Sequence, residues 1–195
     1  QFDFSQGADL TITLPPTPFT TAELAGVART RYPYFSWVTT AREGDDLEIA
    51  VDPSSQPQLA GLTADVYVTA DKSSAQWDGD PTLLDMTLAG PTSVTFDSVD
   101  IKSNTFVVDA GTLSGDAGAG LGVGYDVVVD VNTNGVLDAG DLIDGYDDAG
   151  VYVTADTAVP GPYAVTEALY SGGTWLGQNL YYPSNIASLG EVPLM

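Results

Sequence analysis

Short apolar segments that alternate with polar residues recur along the chain and constrain its fold more than any other feature. In Leu47–Val51, Asp65–Thr69 and Tyr125–Val129, β-branched and aromatic residues alternate with polar ones or form a brief run, as half-buried and buried strands require. Six more segments share the pattern: Asp9–Leu14, Ser93–Phe96, Thr105–Val108, Val151–Thr154, Tyr163–Thr166 and Asn179–Tyr182. Turn-forming residues separate these segments. The sequence therefore predicts an all-β fold, an antiparallel β-sandwich.

Both an Ig-like and a jelly-roll strand arrangement fit this spacing. Thr20–Ala25 alone has the signature of a helix start, a Thr cap followed three positions later by Glu23. We therefore expect at most one short helix, near the N-terminus.

The chain divides into three segments: a strand region with the short helix at 1–60, an Ig-like sandwich at 61–160, and C-terminal strands or an extension at 161–195; alternatively, all three form one domain. The sequence Val66–Asp71 returns unchanged as Val151–Asp156. A duplicated unit would explain this repeat. Equivalent strands of one sandwich, or coincidence in a Val- and Thr-rich chain, explain it better because the flanking residues do not align.

The charge excludes two classes of partner. With 5 basic and 27 acidic residues, the formal charge is −22, which repels nucleic acid and anionic membrane surfaces. No run of about 18 apolar residues is present, so membrane insertion is not expected. The same excess of acid is typical of proteins from marine or halophilic sources.

The chain lacks residue types on which most catalytic mechanisms depend. The chain has no His and no Cys, which removes serine–histidine triads, cysteine nucleophiles and histidine-ligated zinc. A carboxylate pair for glycoside hydrolysis is uninformative in so acidic a chain. We expect no enzymatic activity and no catalytic residues.

The segment from 130 to 141 carries the most specific motif. It places oxygen side chains at loop positions 1, 3, 5, 9 and 12 and a glycine, Gly135, at position 6, which is the spacing of a calcium loop. The predicted Ca²⁺ ligands are Asp130, Asn132, Asn134, the carbonyl of Val136, Asp138 and Asp141. Because a strand enters this loop, we expect a static site between strands and not a helix–loop–helix.

The loop resembles those of dockerins and related extracellular calcium modules, which also end in Asp. Such sites fill at about 10⁻⁴ to 10⁻³ M calcium, so the resemblance implies a secreted or cell-surface protein. A chain that starts at Gln1 would fit a processed exported chain, or merely an arbitrary start. Asp126, Asp144, Asp147 and Asp148 flank the loop; they form a solvated acidic face or, less favoured, a second ion site.

Two longer stretches carry further resemblances. Residues 124–130 are similar to the approach to such loops in Ig-like repeats of bacterial and archaeal surface proteins, which implies a structural or adhesive role. Residues 170–185 and 192–195 resemble the N-terminal region of secreted α/β-hydrolases, without the nucleophile elbow, acid or histidine of that family. The second resemblance implies an accessory part of a larger secreted hydrolase.

Two functions remain open at this point. The first is a structural subunit of a surface or filamentous assembly, in which identical subunits associate by exchange of an apolar N-terminal strand; that strand would present Phe2, Phe4, Leu10, Ile12 and Leu14. Pairing of this strand within its own sheet is an equally good interpretation. The second is an accessory or polysaccharide-binding module, with a platform formed by aromatic residues near 32–37 and 175–182, for which core packing is the simpler explanation.

Overall fold

The computed structural model describes residues 19–31, 34–115, 122–156, 164–172 and 175–188. Its strands are β1 (Thr20–Thr21), β2 (Ala25–Arg31), β3 (Tyr34–Val38), β4 (Thr40–Arg42), β5 (Asp46–Ala50), β6 (Thr63–Ala70), β7 (Thr92–Thr95), β8 (Thr105–Ala110), β9 (Val123–Asp130), β10 (Leu142–Asp144), β11 (Val151–Thr154), β12 (Val165–Gly172) and β13 (Trp175–Pro183). The one α-helix of the described residues is α1 (Ser74–Gly79), and 3₁₀ turns cover Pro57–Leu59 and Ile186–Ser188. The protein is mostly β, as the sequence predicts.

The largest sheet has seven strands arranged around β9. Strand β9 pairs antiparallel with β6 on one side and with β10 and β11 on the other, while β7 extends the sheet beyond β6. The pairs β1·β10 and β4·β11 are parallel. The sheet is therefore mixed and curled like half of a barrel, and the expectation of a purely antiparallel arrangement is wrong.

Two smaller sheets accompany it. One has the order β3-β2-β5-β8, and the other is the hairpin β12-β13. The seven-stranded and four-stranded sheets are the two larger sheets, and each combines strands from before and after residue 60. The repeated sequence occupies β6 and β11, which flank β9 on opposite sides with Ala70 and Val151 both in register with Tyr125. The two copies are thus neighbours of one central strand.

The predicted helix near the N-terminus is wrong. Thr20 and Thr21 form strand β1, because the Thr20 N–H donates to the Asp141 carbonyl at 2.8 Å and the Ala22 N–H donates to the Ile143 carbonyl at 2.9 Å. These tertiary bonds outweigh the local capping preference. The helix forms instead at α1, where the Gln76 side-chain oxygen accepts from Ser73 N and Ser73 Oγ, both at 2.9 Å.

Apolar side chains cover both faces of β9. On one face, alternate residues of β9 join buried residues of the four-stranded sheet in a single core cluster that includes Leu47, Ile49, Val108, Val127 and Val129. On the other face, a second cluster contains Trp77, Leu83, Val128, Leu137 and Ile143. Burial on both faces explains why β9 has a continuous valine run instead of strict alternation. No helix among the described residues is long and apolar enough to span a bilayer.

Candidate metal centre

The predicted calcium loop connects two antiparallel neighbours in the sheet. Strand β9 ends at Asp130 and β10 begins at Leu142, with Leu142 in register with Val129. The loop therefore leaves and re-enters the sheet at adjacent points, which brings its first and last carboxylates together. It lies between strands, as the sequence predicts.

Asp130 anchors the start of the loop. It is fully buried, and its two carboxylate oxygens accept N–H groups from the loop, Oδ1 from Asn134 at 3.3 Å and Oδ2 from Gly135 at 2.8 Å. These bonds pull the glycine turn towards the end of β9. The nearby phenol responds to this charge: burial, reinforced by Asp130, raises the pKa of Tyr67.

Asp141 closes the loop in the same way. It is also fully buried; its Oδ1 accepts from the Val131 N–H at 2.9 Å and its Oδ2 from the Asp138 N–H at 2.8 Å. Burial raises the pKa of Asp141, and the charges of Asp130 and Asp138 raise it further against the two N–H bonds. Two buried carboxylates thus hold the two ends of the loop, and the charge of each acts on the other.

In the outer half of the loop, the side chains of Asn132 and Asn134 converge on Asp138. Asn132 Nδ2 donates to Asp138 Oδ1 at 2.8 Å, and Asn134 Nδ2 donates to Asp138 Oδ2 at 2.7 Å. Because an amide presents either its oxygen or its nitrogen by a half-turn, Asn132 and Asn134 can offer oxygen to an ion from nearly the same place.

The backbone conformation of Gly135 and hydrogen bonds from a neighbouring segment fix the turn. Gly135 has φ +75°, a left-handed conformation that glycine adopts without strain. The segment before β7 is hydrogen-bonded to the loop. The Leu83 N–H donates to the Gly135 carbonyl at 2.9 Å, and the Leu137 N–H donates to the Pro81 carbonyl at 2.8 Å. These two bonds flank Val136, the predicted carbonyl ligand, which forms a β-bridge with Thr82.

The donor set fits a hard cation. Carboxylate, amide and carbonyl oxygens are the ligands that calcium takes, and all six predicted ligand residues lie in this one loop. In the described parts of the chain, no three acidic side chains are gathered in metal-binding geometry. The loop carboxylates are instead held by backbone N–H groups and amides, so the assignment of calcium stays a prediction.

The other predicted sites are described only in part. The assembly residues Phe2, Phe4, Leu10, Ile12 and Leu14 lie outside the described residues. Of the aromatic platforms, Tyr181 is 62% exposed on β13 and Tyr182 is partly buried. The Tyr181 hydroxyl donates to Glu167 Oε1 at 3.0 Å across the hairpin.

Asp126, which the sequence places among the acids that flank the loop, has a fully buried side chain. Asp126 lies on the same face of β9 as Val128, because residues two apart on a strand point the same way. The partners that bury it, Trp77 of α1 and the backbone of Lys72, are about fifty residues away in the chain. No local pattern of the sequence could have identified them.

Comparison with protein-family models, with curated proteins and with solved structures found no match.

Proposed function

We propose that this chain is a non-catalytic, calcium-stabilised β domain that serves as a structural subunit of an extracellular assembly. The observation that carries the proposal is the pair of fully buried carboxylates, Asp130 and Asp141, at the neck of a loop whose outer oxygens converge on Asp138. These like charges repel each other, since Asp130 and Asp138 raise the pKa of Asp141, in a chain of charge −22. A divalent cation would remove that repulsion.

Calcium would therefore act as part of the fold. Carboxylates bind calcium only when they are deprotonated and brought together by folding, so the free energy of calcium binding adds to the free energy of folding. Affinities typical of extracellular modules, about 10⁻⁴ to 10⁻³ M, suit a secreted or cell-surface location. A chain without disulfides, since it has no Cys, would gain rigidity from the ion.

We infer in addition that the two larger sheets form a β-sandwich. Buried residues of both sheets belong to one core cluster, as expected when two sheets pack face to face. The Ig-like and jelly-roll alternatives both remain open. The parallel edge pairs β1·β10 and β4·β11 would be departures from either type.

Open sheet edges support the assembly role. Among the described strands, β7, β3 and β8 each pair on one side only. An unpaired edge can accept a strand from another subunit. The apolar N-terminal segment, with Phe2 to Leu14, is the proposed donor, so identical subunits are the proposed partners.

The hairpin β12-β13 favours a second candidate function, the accessory module of a secreted α/β-hydrolase. Leu169 and Leu180 are 71% and 57% exposed there, and neither core cluster includes a described hairpin residue. An isolated two-stranded hairpin is only marginally stable. A larger catalytic unit packed on it would cover these apolar residues.

The deciding experiment measures thermal melting and particle shape, by electron microscopy, in millimolar calcium and in EDTA. Calcium at about a hundred times its dissociation constant stabilises a protein by about 2.7 kcal/mol, which is about 5 to 10 °C for a chain of this size. Asp138→Asn should reduce this shift, whereas Asp46→Asn, an equal charge change at an exposed site on β5, should not.

Each outcome points to one function. Calcium-dependent melting with filaments supports the structural subunit. Calcium-dependent melting of a monodisperse monomer that is retained on polysaccharide supports the accessory module. Equal melting with and without calcium, in the wild type and in Asp138→Asn, would show that the loop is an ordinary acidic turn.

A further inference from the structure

A second group of carboxylates lies around Asp126, which is on the same face of β9 as Asp130 but on the other side of Val128. Asp126 and Asp130 are four residues apart on one strand, hence separated by about 13 Å at 3.3 Å per residue. The second group is therefore distinct from the calcium loop. It comprises Asp126, Asp144 at the end of β10, and Asp71 just after β6.

Asp126 has an incomplete set of partners. Its side chain is fully buried; Oδ2 accepts from the Lys72 N–H at 2.9 Å and from Trp77 Nε1 at 2.8 Å. Its Oδ1 has no hydrogen-bond partner and is the one buried side-chain oxygen or nitrogen of the described residues in this state. An ionised oxygen without a partner in the protein interior is costly.

This oxygen faces the turn between Gly145 and Gly150. A Cβ on Gly145 would overlap Asp126 Oδ1, and a Cβ on Gly150 would lie 2.8 Å from Asp144 Cγ. Gly145 also has φ +109°. Glycine at both positions lets the turn backbone approach the two carboxyl groups more closely than any side chain would permit.

Asp144 supplies the second carboxylate. It is 8% exposed, and its Oδ2 accepts from the Leu24 N–H at 2.6 Å and the Ala25 N–H at 2.8 Å, which fixes its position. An open cavity of about 440 Å³ adjoins it, lined in part by Gly145, Asp147 and Asp148. An ion could therefore arrive from solvent through an acidic surface.

Of the basic residues whose side chains the structure describes, Arg42, Lys72 and Lys102, none forms an ion pair with Asp126 or Asp144. Lys72 directs its Nζ to the carbonyls of Asp80 at 2.9 Å and Thr82 at 3.1 Å and lies 4.2 Å from the Trp77 ring centre. Only its backbone reaches Asp126. Among the described groups, none neutralises the site, so a proton or a cation from solution would do so.

We propose that Asp126 Oδ1 and Asp144, closed over by the turn from Gly145 to Gly150, form a second calcium site. Two carboxylates are fewer than a calcium ion requires, and backbone carbonyls of the turn together with water would complete its six to eight oxygens. The turn brings its backbone close to both carboxyl groups, and the cavity that Asp144 lines opens to solvent.

Electrostatics supports this assignment. Burial raises the pKa of Asp126 to about 7, and the charges of Asp71 and Asp144 add to the effect. A proton held this weakly at neutral pH is easily displaced by a divalent ion. Above pH 7, the cation is the better means of neutralising Asp126.

The test is calcium titration of the whole chain at pH 8, with calorimetric stoichiometry and tryptophan fluorescence. The wild type should bind one more ion than Asp126→Asn. The wild type should also show a fluorescence change that Trp77→Phe abolishes, because the Trp77 indole donates to Asp126. Asp138→Asn should lose the loop ion but keep the Trp77 signal, which separates this site from the loop.

Asp144→Asn is the second variant, in case Asp126→Asn does not fold. Its side-chain oxygen can still accept from Leu24 and Ala25, so a lost ion in this variant reports on ligation. Wild-type stoichiometry and an unchanged Trp77 signal in the folded Asp126 or Asp144 variant would overturn the proposal. Asp126 would then be a buried, protonated acid.

Discussion

At the scale of single residues, the turn of the loop depends on a glycine in a left-handed backbone conformation. Gly135 has φ +75°, and its N–H donates to Asp130 Oδ2 at 2.8 Å. A Cβ there would meet nothing closer than the Tyr67 hydroxyl at 3.8 Å. The cost of a larger residue is therefore backbone strain and not a clash.

Gly135→Ala should lower the free energy of unfolding by about 1 to 2 kcal/mol, the cost of a left-handed L-residue. Urea unfolding in calcium measures this. Gly79→Ala is the control, because Gly79 ends helix α1 without a positive φ and has open space around it; its stability should be unchanged or slightly raised. Equal stability of Gly135→Ala and the wild type would mean that the loop does not need this turn.

The same scale shows where sequence reasoning stops. The spacing of oxygen side chains predicts a calcium loop, and the segment runs from the last residue of β9 to the start of β10; the six ligands stay a prediction. The sequence could not predict that Asp126 is buried with one unpartnered oxygen, since that depends on Trp77 and Gly145, which approach from other elements.

At the scale of elements, alternation predicted the strands that carry their own apolar pattern, such as β5, β6, β9 and β11. It missed β10, because Leu142–Asp144 has only three residues and is a strand by virtue of pairing with β9. It mistook β1 for a helix, because the bonds from Thr20 and Ala22 to the 141–143 backbone are long-range. Long-range pairing leaves no local signal in the sequence.

The hairpin β12-β13 is the element least tied to the rest of the described chain. Its strands pair from Val165↔Pro183 to Gly172↔Trp175, and both core clusters are built without its described residues. Ending the chain after Asp156 should therefore shift the melting temperature by no more than about 2 °C, the scale of a surface change of 0.5 kcal/mol.

Differential scanning calorimetry of the shortened and full chains, both in calcium, measures this effect. Leu142→Ala in the full chain is the comparison for a true core loss, since Leu142 is fully buried and such a change costs about 2 to 5 kcal/mol. A shortened chain that melts as early as Leu142→Ala would show that the hairpin is an integral part of the domain.

At the scale of the whole molecule, β9 organises both the core and the charge. Its inner face joins the two larger sheets in one cluster, and its outer face carries Asp126 and Asp130 on either side of Val128. Buried acids at the centre of a chain of charge −22 make the fold sensitive to whatever neutralises them. Protons and calcium should therefore compete for the same groups.

The last prediction concerns the calcium-free protein. Burial raises the pKa of Asp126 to about 7, and burial also raises the pKa values of Asp141 and Asp144 above their usual range. Between about pH 4 and pH 7 native Asp126 retains a proton that the unfolded chain has released, so the free energy of unfolding falls as pH rises, by up to about 1.4 kcal/mol per pH unit; the raised pKa values of Asp141 and Asp144 act in the same direction. The charges that face Asp126 are Asp71 and Asp144, and both act in this direction.

Urea unfolding at fixed ionic strength, in buffers stripped of calcium, should therefore give its highest stability near pH 4 to 5. The exposed carboxylates Asp52, Asp80 and Asp100 have lowered pKa values because neighbouring side-chain and backbone groups donate to them, and they weaken the fold only below about pH 4. In excess calcium the slope should reverse, since the ion binds the deprotonated ligands. Stability that rises from pH 5 to pH 7 without calcium would mean that these buried acids are ionised and satisfied by the protein alone, and that the fold does not need a cation.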